Sequence, residues 1–281
     1  MSEPVNLKAY FERIGFSGSI APTLSTLETL HALHPATIPF ENLDPLMGRP
    51  VRLDQKSLEK KLLAERRGGY CFEHNHLFWR VLLDLDYTVR GLGARVLWNR
   101  PEGTQRPISH MVLAVEISGS TYIADVGFGG MTLTAPLRLR NGAEQETPHE
   151  TFRLTETDGT WRLDVAIGED WRGVYAFDMT EFAEPDFAPI NTALSTDAAS
   201  RFRTSLIAGI APKEGRHTLA GTRLGHYPVE GEASHVELDG LEAVKTALHD
   251  VFGIALPPAE ELDPALATVL GLELPPPAPA D

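Results

Sequence analysis

Residues 66–75 read RRGGYCFEHN, and Cys71 is the single cysteine among 281 residues. A thiol reacts as its thiolate, so its surroundings decide whether it does chemistry. Gly68-Gly69 is expected to end one helix and Cys71 to open the next. That places the sulfur at a helix N-terminus, where unpaired backbone N–H groups and the positive end of the dipole favour the thiolate. Arg66 and Arg67 add positive potential, and the glycines let a substrate approach closely. Taken by residue type alone, a lone cysteine is more often a small buried hydrophobe.

A nucleophilic thiol also needs a base and a group that orients the base. The chain has ten histidines. His74 and His76, close behind Cys71, are poorly aimed at it, and His74 reads as a structural residue bonded to a loop. His31, His34, His149, His217, His226, His235 and His249 lie in segments with no accompanying signal. His110 differs, because it opens the strand HMVLAVEI. Asp125 lies near the end of TYIADVGF, inside an apolar run where an unpaired carboxylate is costly. If Ser118-Gly119 is a two-residue hairpin turn, Ile117 faces Ser120 and Asp125 faces Val112. Asp125 then shares a sheet face with His110, diagonal to it at ~7–8 Å between Cα atoms. A turn centred on Gly119 alone would put the two on opposite faces. The first register is adopted here, and it yields a Cys71–His110–Asp125 triad.

The elements that must hold these residues fall into three parts. Helical spacing of apolar residues marks 5–16, a segment after Pro22 that should stop before Pro35, a charged amphipathic helix with Leu58, Leu62 and Leu63 inward, and the segment from Cys71 to about Asp86. IPFENLDPLMGRP reads as an ordered loop. From Tyr87 the pattern becomes short β-rich runs: YTVRGLGARVLW, HMVLAVEI, TYIADVGF, LRLRNG, TFRLTET and TWRLDVAI. A link follows, then the strands SLIAGIAP, GRHTLAGTRLGHY and HVELDG and a helix over GLEAVKTALHDVFGI. The expected division is 1–86 as a helical bundle bearing the nucleophile, 87–185 as a β-barrel bearing His110 and Asp125, 186–210 as a link, and 211–281 as an α/β lid. The tail PPPAPAD is expected to be disordered.

Totals narrow the function. One cysteine excludes an internal disulfide and a CxxC zinc or redox site, and no metal is expected. The net charge of −14, from 39 acidic and 25 basic residues, disfavours nucleic acid and anionic membranes but leaves room for a local anion site. No signal peptide or spanning segment is visible, so a cytoplasmic setting is expected.

RGGYCFEHN, SHMVLAV and ADVGFGG followed by APLRL closely resemble the arylamine N-acetyltransferases. So do IPFENLDPLMGRPVRLD and the opening YFERIGF. INTALSTDAASRF and GRHTLAGTRL continue the resemblance more loosely, to about residue 255. It implies an α+β fold of helical bundle, antiparallel β-barrel and α/β lid around a papain- or transglutaminase-like core. It also implies acetyl transfer from acetyl-CoA to arylamines, arylhydrazines or hydrazides through an acetyl-cysteine, in a ping-pong route with Cys71, His110 and Asp125 as the triad. Acetyl-CoA is then a co-substrate, with no tightly bound cofactor, and the chain a monomer or weak homo-oligomer.

The resemblance further assigns CoA contacts to Gly127, Phe128, Gly129 and Gly130, whose backbone could form a phosphate nest. It adds a polar contact from Ser109, where many relatives have threonine, and flanking surfaces from Trp98 and Phe202. An apolar acceptor pocket would be lined by Phe40, Tyr70 and Phe128; Phe40 reads equally well as core packing behind Pro39. A cysteine hydrolase or amidase with the same triad is the rival enzyme reading. An inactive binding module that keeps the fold is a third, which the presence of all three triad residues disfavours.

Overall fold

The structure, a computed structural model, describes residues 4–101, 103 and 106–272; the proline-rich tail lies outside them. Helix α1 (Leu7–Ile14) starts at Asn6, whose side chain accepts from the Ala9 N–H, and ends at Gly15 in the left-handed region. Helix α2 (Leu24–Thr37) is capped by Thr23 and runs through Pro35 rather than stopping before it. A proline in the last turn removes one internal hydrogen bond, and the helix ends within three residues, so little is lost. The stretch read as a loop contains a strand, β1 (Phe40–Glu41), and a short helix, α3 (Leu43–Leu46).

Helix α4 (Gln55–Leu58) passes into a π-helical turn at Glu59–Ala64, with Leu58, Leu62 and Leu63 buried as expected. It ends at Glu65 and Arg66, the latter at φ 52°, and not at the glycine pair. Gly68 and Gly69 have another task. A Cβ on Gly68 would stand 2.1 Å from the Pro39 carbonyl oxygen, and one on Gly69 would stand 2.8 Å from the Glu73 carboxylate. Helix α5 (Cys71–Asp84) begins where predicted, and its first twelve residues are all buried.

Strands β2 (Thr88–Val96), β3 (His110–Ile117), β4 (Ser120–Ala124), β5 (Leu137–Arg138), β6 (Glu144–Glu146), β7 (Thr151–Thr157), β8 (Thr160–Ile167) and β9 (Asp170–Phe182) form one antiparallel sheet in the order β5-β4-β3-β2-β9-β8-β7-β6. Its edges meet where the Gln145 side chain bonds both the N–H and the C=O of Arg138, leaving a nearly closed barrel. Helices α6 (Ala188–Thr196) and α7 (Arg201–Thr204) lead to a second sheet. This sheet orders β1 beside β10 (Ile207–Ile210), β11 (Gly215–Ala220), β12 (Arg223–Pro228) and β13 (Ser234–Glu237). Helix α8 (Gly240–Asp250) covers it, with α9 (Ala259–Leu270), a helix the sequence reading missed across Pro264.

The hairpin takes the adopted register: Ile117 pairs with Ser120 and Leu113 with Ala124. Met111, Leu113 and Val115 face α5 and the other helices, whereas Val112 and Ala114 face the barrel interior. Residues i and i+2 share a face, so His110 points into the barrel.

Between helices and barrel lies a directed chain of polar groups. The Pro39 carbonyl can only accept, so His74 Nε2–H donates to it at 3.1 Å. His74 Nδ1 must then accept from His34 Nε2–H at 2.9 Å, and His34 Nδ1 from the Tyr10 hydroxyl at 3.0 Å. All three rings are buried, and the two histidines are neutral in this arrangement. Burial holds His31, His74 and His76 each down at about 4. Unfolded, they would titrate near 6.5, so the unfolded chain binds more protons between about pH 6.5 and 4, and stability falls as the pH falls through that window. Glu73, pushed up to about 7 by burial, works in the opposite direction, but as one group against three. We expect unfolding free energy, measured in urea at pH 7.0, 5.5 and 4.5, to drop steadily, on the order of 3 kcal/mol for each such histidine over the full window. A flat profile would show that these rings are solvated.

Candidate functional site

Cys71 sits at the first position of α5, 3% exposed. The N–H groups of Phe72 and Cys71 face its sulfur, as a helix start should provide, and the sulfur is 4.0 Å from the Ser109 carbonyl oxygen. These donors do not by themselves acidify the thiol. Burial raises its pKa, the charge of Asp125 raises it further, and the two N–H groups offset only part of this. Arg67 is committed to a buried ion pair with Glu41. The helix start alone therefore does not lower the thiol, and the expected joint action with a base needs an acceptor beside the sulfur.

His110, which lines the same cavity as Cys71, is the candidate acceptor. His110 Nε2 bonds Asp125 Oδ2 at 2.7 Å, with the two side chains 2% and 0% exposed. Burial alone would raise the Asp125 carboxyl, but His110, Asn75 and the Gly127 N–H hold it below the usual carboxylate range. Asn75 donates to Asp125 Oδ1 and to the Met111 carbonyl, both at 2.9 Å, and accepts from the Val126 N–H. His31 Nε2 accepts from the Asp125 N–H at 3.1 Å. Phe128 packs edge-on against the His110 ring at 5.0 Å, with Tyr175 at 5.3 Å. With Nε2 engaged by Asp125, Nδ1 is the remaining ring nitrogen.

Sequence reasoning missed Asn75, His31 and Tyr175. Asn75 was within reach, because it lies one helical turn after Cys71, on the same face. His31 and Tyr175 come from distant segments with no local signature.

A cavity of about 870 Å³ opens beside Cys71 and His110. Cys71, His110, Ser109, Trp98, Phe40, Phe202, Gly127, Phe128, Gly129 and Gly130 all line it. Of the sequence candidates, two do not. Asp125 is buried behind His110, and Tyr70 is fully buried with its hydroxyl bonded to the Asn191 side chain. The glycine loop is tightly held. The Gly127 N–H donates to Asp125 Oδ1 and the Phe128 N–H to Thr132 Oγ1, so neither is open to a ligand. A Cβ on Gly127 would meet the Cys71 carbonyl oxygen at 2.9 Å, and one on Gly130 the Thr218 side chain at 3.0 Å.

The turn into Cys71 is fixed from below. Glu73 accepts from the Tyr70 N–H at 2.9 Å and from Lys61 at 2.7 Å. Lys61 also meets Asp44, and Arg67 bridges Asp44 and Glu41. Glu41 belongs to β1, whose N–H bonds the Gly69 carbonyl at 2.8 Å. This network ties β1, α3 and the π turn to the start of α5. Among the described residues, no group of three or more His, Cys, Asp or Glu could hold a metal ion, and no helix is long and apolar enough to cross a membrane. Truncating Arg67 would leave Glu41 charged and buried. We expect Arg67→Ala to cost about 3–5 kcal/mol in urea unfolding; a loss under about 1 kcal/mol would show that Lys61 replaces it.

Comparison with known proteins agrees with this geometry. A family model described as N-acetyltransferase matches residues 23–261. The arylamine N-acetyltransferase of Mycobacterium tuberculosis is 41% identical over 254 residues, 89% of each chain. That of Escherichia coli K12 is 38% identical over 255 residues, 90% of each. The structure of the Mycobacterium marinum arylamine N-acetyltransferase in complex with CoA superposes with a TM-score of 0.90 at 38% identity, covering 94% of this chain and 99% of that one. With its α+β architecture, its buried His–Asp pair beside the lone thiol, and these relatives, the chain belongs to the arylamine N-acetyltransferase family of acyltransferases.

Proposed function

We propose that the protein transfers acetyl groups from acetyl-CoA to the nitrogen of arylamines, arylhydrazines and hydrazides by a ping-pong route through acetyl-Cys71. The buried bond between His110 and Asp125 carries this reading, because it fixes one tautomer of a base whose other nitrogen can exchange a proton with the thiol. The Cys71 proton passes to His110 Nδ1 as the sulfur attacks the thioester carbonyl. Asp125 stabilises the imidazolium so formed, which offsets the burial that keeps the free thiol neutral. Collapse of the tetrahedral species breaks the C–S bond to CoA, whose thiolate takes the proton from His110. The amine then attacks the acetyl-cysteine, loses its proton to His110, and expels the Cys71 sulfur. The Cys71 N–H is the proposed donor to the oxyanion.

Arylamines suit this site because they stay unprotonated near neutral pH. Phe40, Phe128 and Phe202 supply apolar walls for a flat ring, with Tyr70 supporting them from behind; Ser109, Trp98 and the Gly127–Gly130 loop border the path for the CoA arm.

Incubation with acetyl-CoA should add one acetyl group to the intact protein by mass spectrometry, and an arylamine should discharge it. Cys71→Ala should abolish the adduct. Asp125→Asn should lower the rate of adduct formation by a factor on the order of 10⁴, the loss seen when a histidine base is left in the wrong tautomer. Steady release of acetate without amine would favour a cysteine hydrolase instead.

A further inference from the structure

The cavity that holds the triad has a second chemical character at its mouth. Five arginines line it, Arg100, Arg172, Arg201, Arg216 and Arg223, against two carboxylates, Glu150 and Asp197. Glu150 is committed to Arg216 at 2.6 Å, and Asp197 accepts from the Ala199 N–H at 2.8 Å. Elsewhere, Arg49, Arg67, Arg80 and Arg90 each meet a carboxylate at 2.5–3.0 Å. Among the described residues, no carboxylate stands within ion-pair distance of the other four rim arginines. Deeper in, Arg216 is 2% exposed and its Nη1 is buried without a partner. Arg100 and Arg201 line the same cavity, and burial, then the charge of Arg100, hold Arg201 below the usual guanidinium range.

An excess of positive charge gathered in one cavity is unexpected in a chain of net charge −14. Like charges held together without counter-ions raise the local potential and await an anion. Guanidinium groups match phosphate oxygens in geometry as well as charge. The arginines also come from separate pieces of the fold: Arg100 follows β2, Arg172 lies on β9, Arg201 opens α7, and Arg223 opens β12. A ligand reaching all of them must span barrel, link and second sheet.

We propose that Arg100, Arg172, Arg201 and Arg223 clamp the pyrophosphate and 3′-phosphate of CoA at the cavity mouth, so that donor selection rests on phosphate recognition at the rim. This rests on the acetyltransferase reading above. It leaves Gly129 and Gly130 to border the uncharged pantetheine arm, which accords with the internal bonding of the Gly127 and Phe128 N–H groups.

Transfer to one arylamine is measured with acetyl-CoA, acetyl-dephospho-CoA and S-acetylpantetheine as donors, beside calorimetric binding of CoA and pantetheine. Arg100→Gln and Arg201→Gln should each lower kcat/KM with acetyl-CoA about tenfold more than with S-acetylpantetheine, the size expected for one charge-assisted contact. Acetyl-dephospho-CoA should fall between, Arg201→Lys should recover part of the loss, and rising salt should erode the preference for acetyl-CoA. Equal losses on all donors would overturn the clamp by showing a structural role for these arginines. So would wild type that binds CoA no more tightly than pantetheine. Wild type that binds CoA through these arginines yet releases none to an amine would support the clamp and overturn the transferase reading.

Discussion

A carboxylate with no exposure to water is the constraint around which this molecule is arranged. Asp125 sits at the end of β4, inside an apolar sheet, and its charge persists only because His110, Asn75 and a backbone N–H converge on it. Each of those partners must be delivered by a different element. β3 brings His110, α5 brings Asn75, and the glycine loop brings the N–H. Remove one, and a buried charge is left short of a donor, at a cost of several kcal/mol. The cluster around Asp125 is therefore a packing requirement in its own right. The same charge also raises the neighbouring thiol.

The supporting shell follows the same logic one step out. Gly68 and Gly69 lack side chains because Pro39 and Glu73 occupy the space a Cβ would need. The Lys61–Glu73 and Arg67–Glu41 pairs are likewise satisfied on both sides. Breaking a pair of this kind costs more than forming it contributes, which favours a single arrangement of the turn over many loose ones.

What could be read from the sequence follows from locality. The His110–Asp125 contact was legible because it depends on one hairpin, and hairpin register follows from a turn of two residues and from parity. The start of α5 was legible from the glycine pair, though for the wrong reason: the preceding helix ends earlier, at Arg66, and the glycines answer steric contacts, Gly68 from Pro39 far back in the chain and Gly69 from Glu73 on α5 itself. β1 was missed because two residues between prolines carry no periodicity; their strand character comes from pairing with Gly209 and Ala208, far along the chain. α9 was missed because Pro264 interrupts its pattern, although Glu260 and Glu261 in its first turn and Leu262 and Leu266 at helical spacing were there to be seen. Tyr70 faces away from the cavity because Asn191, on α6, claims its hydroxyl.

The placement of β1 also bears on the order in which a growing chain becomes competent. Cys71, His110 and Asp125 emerge from the ribosome within one stretch, and the hairpin joining the last two is local. Phe40, by contrast, is fixed in a sheet whose other strands begin at Ile207. A nascent polypeptide can thus form the His110–Asp125 hairpin well before the wall that encloses the cavity exists. During that interval the cavity beside Cys71 would lack the wall that Phe40, Ile207 and Ala208 supply, leaving the thiol more open to oxidants than in the finished fold.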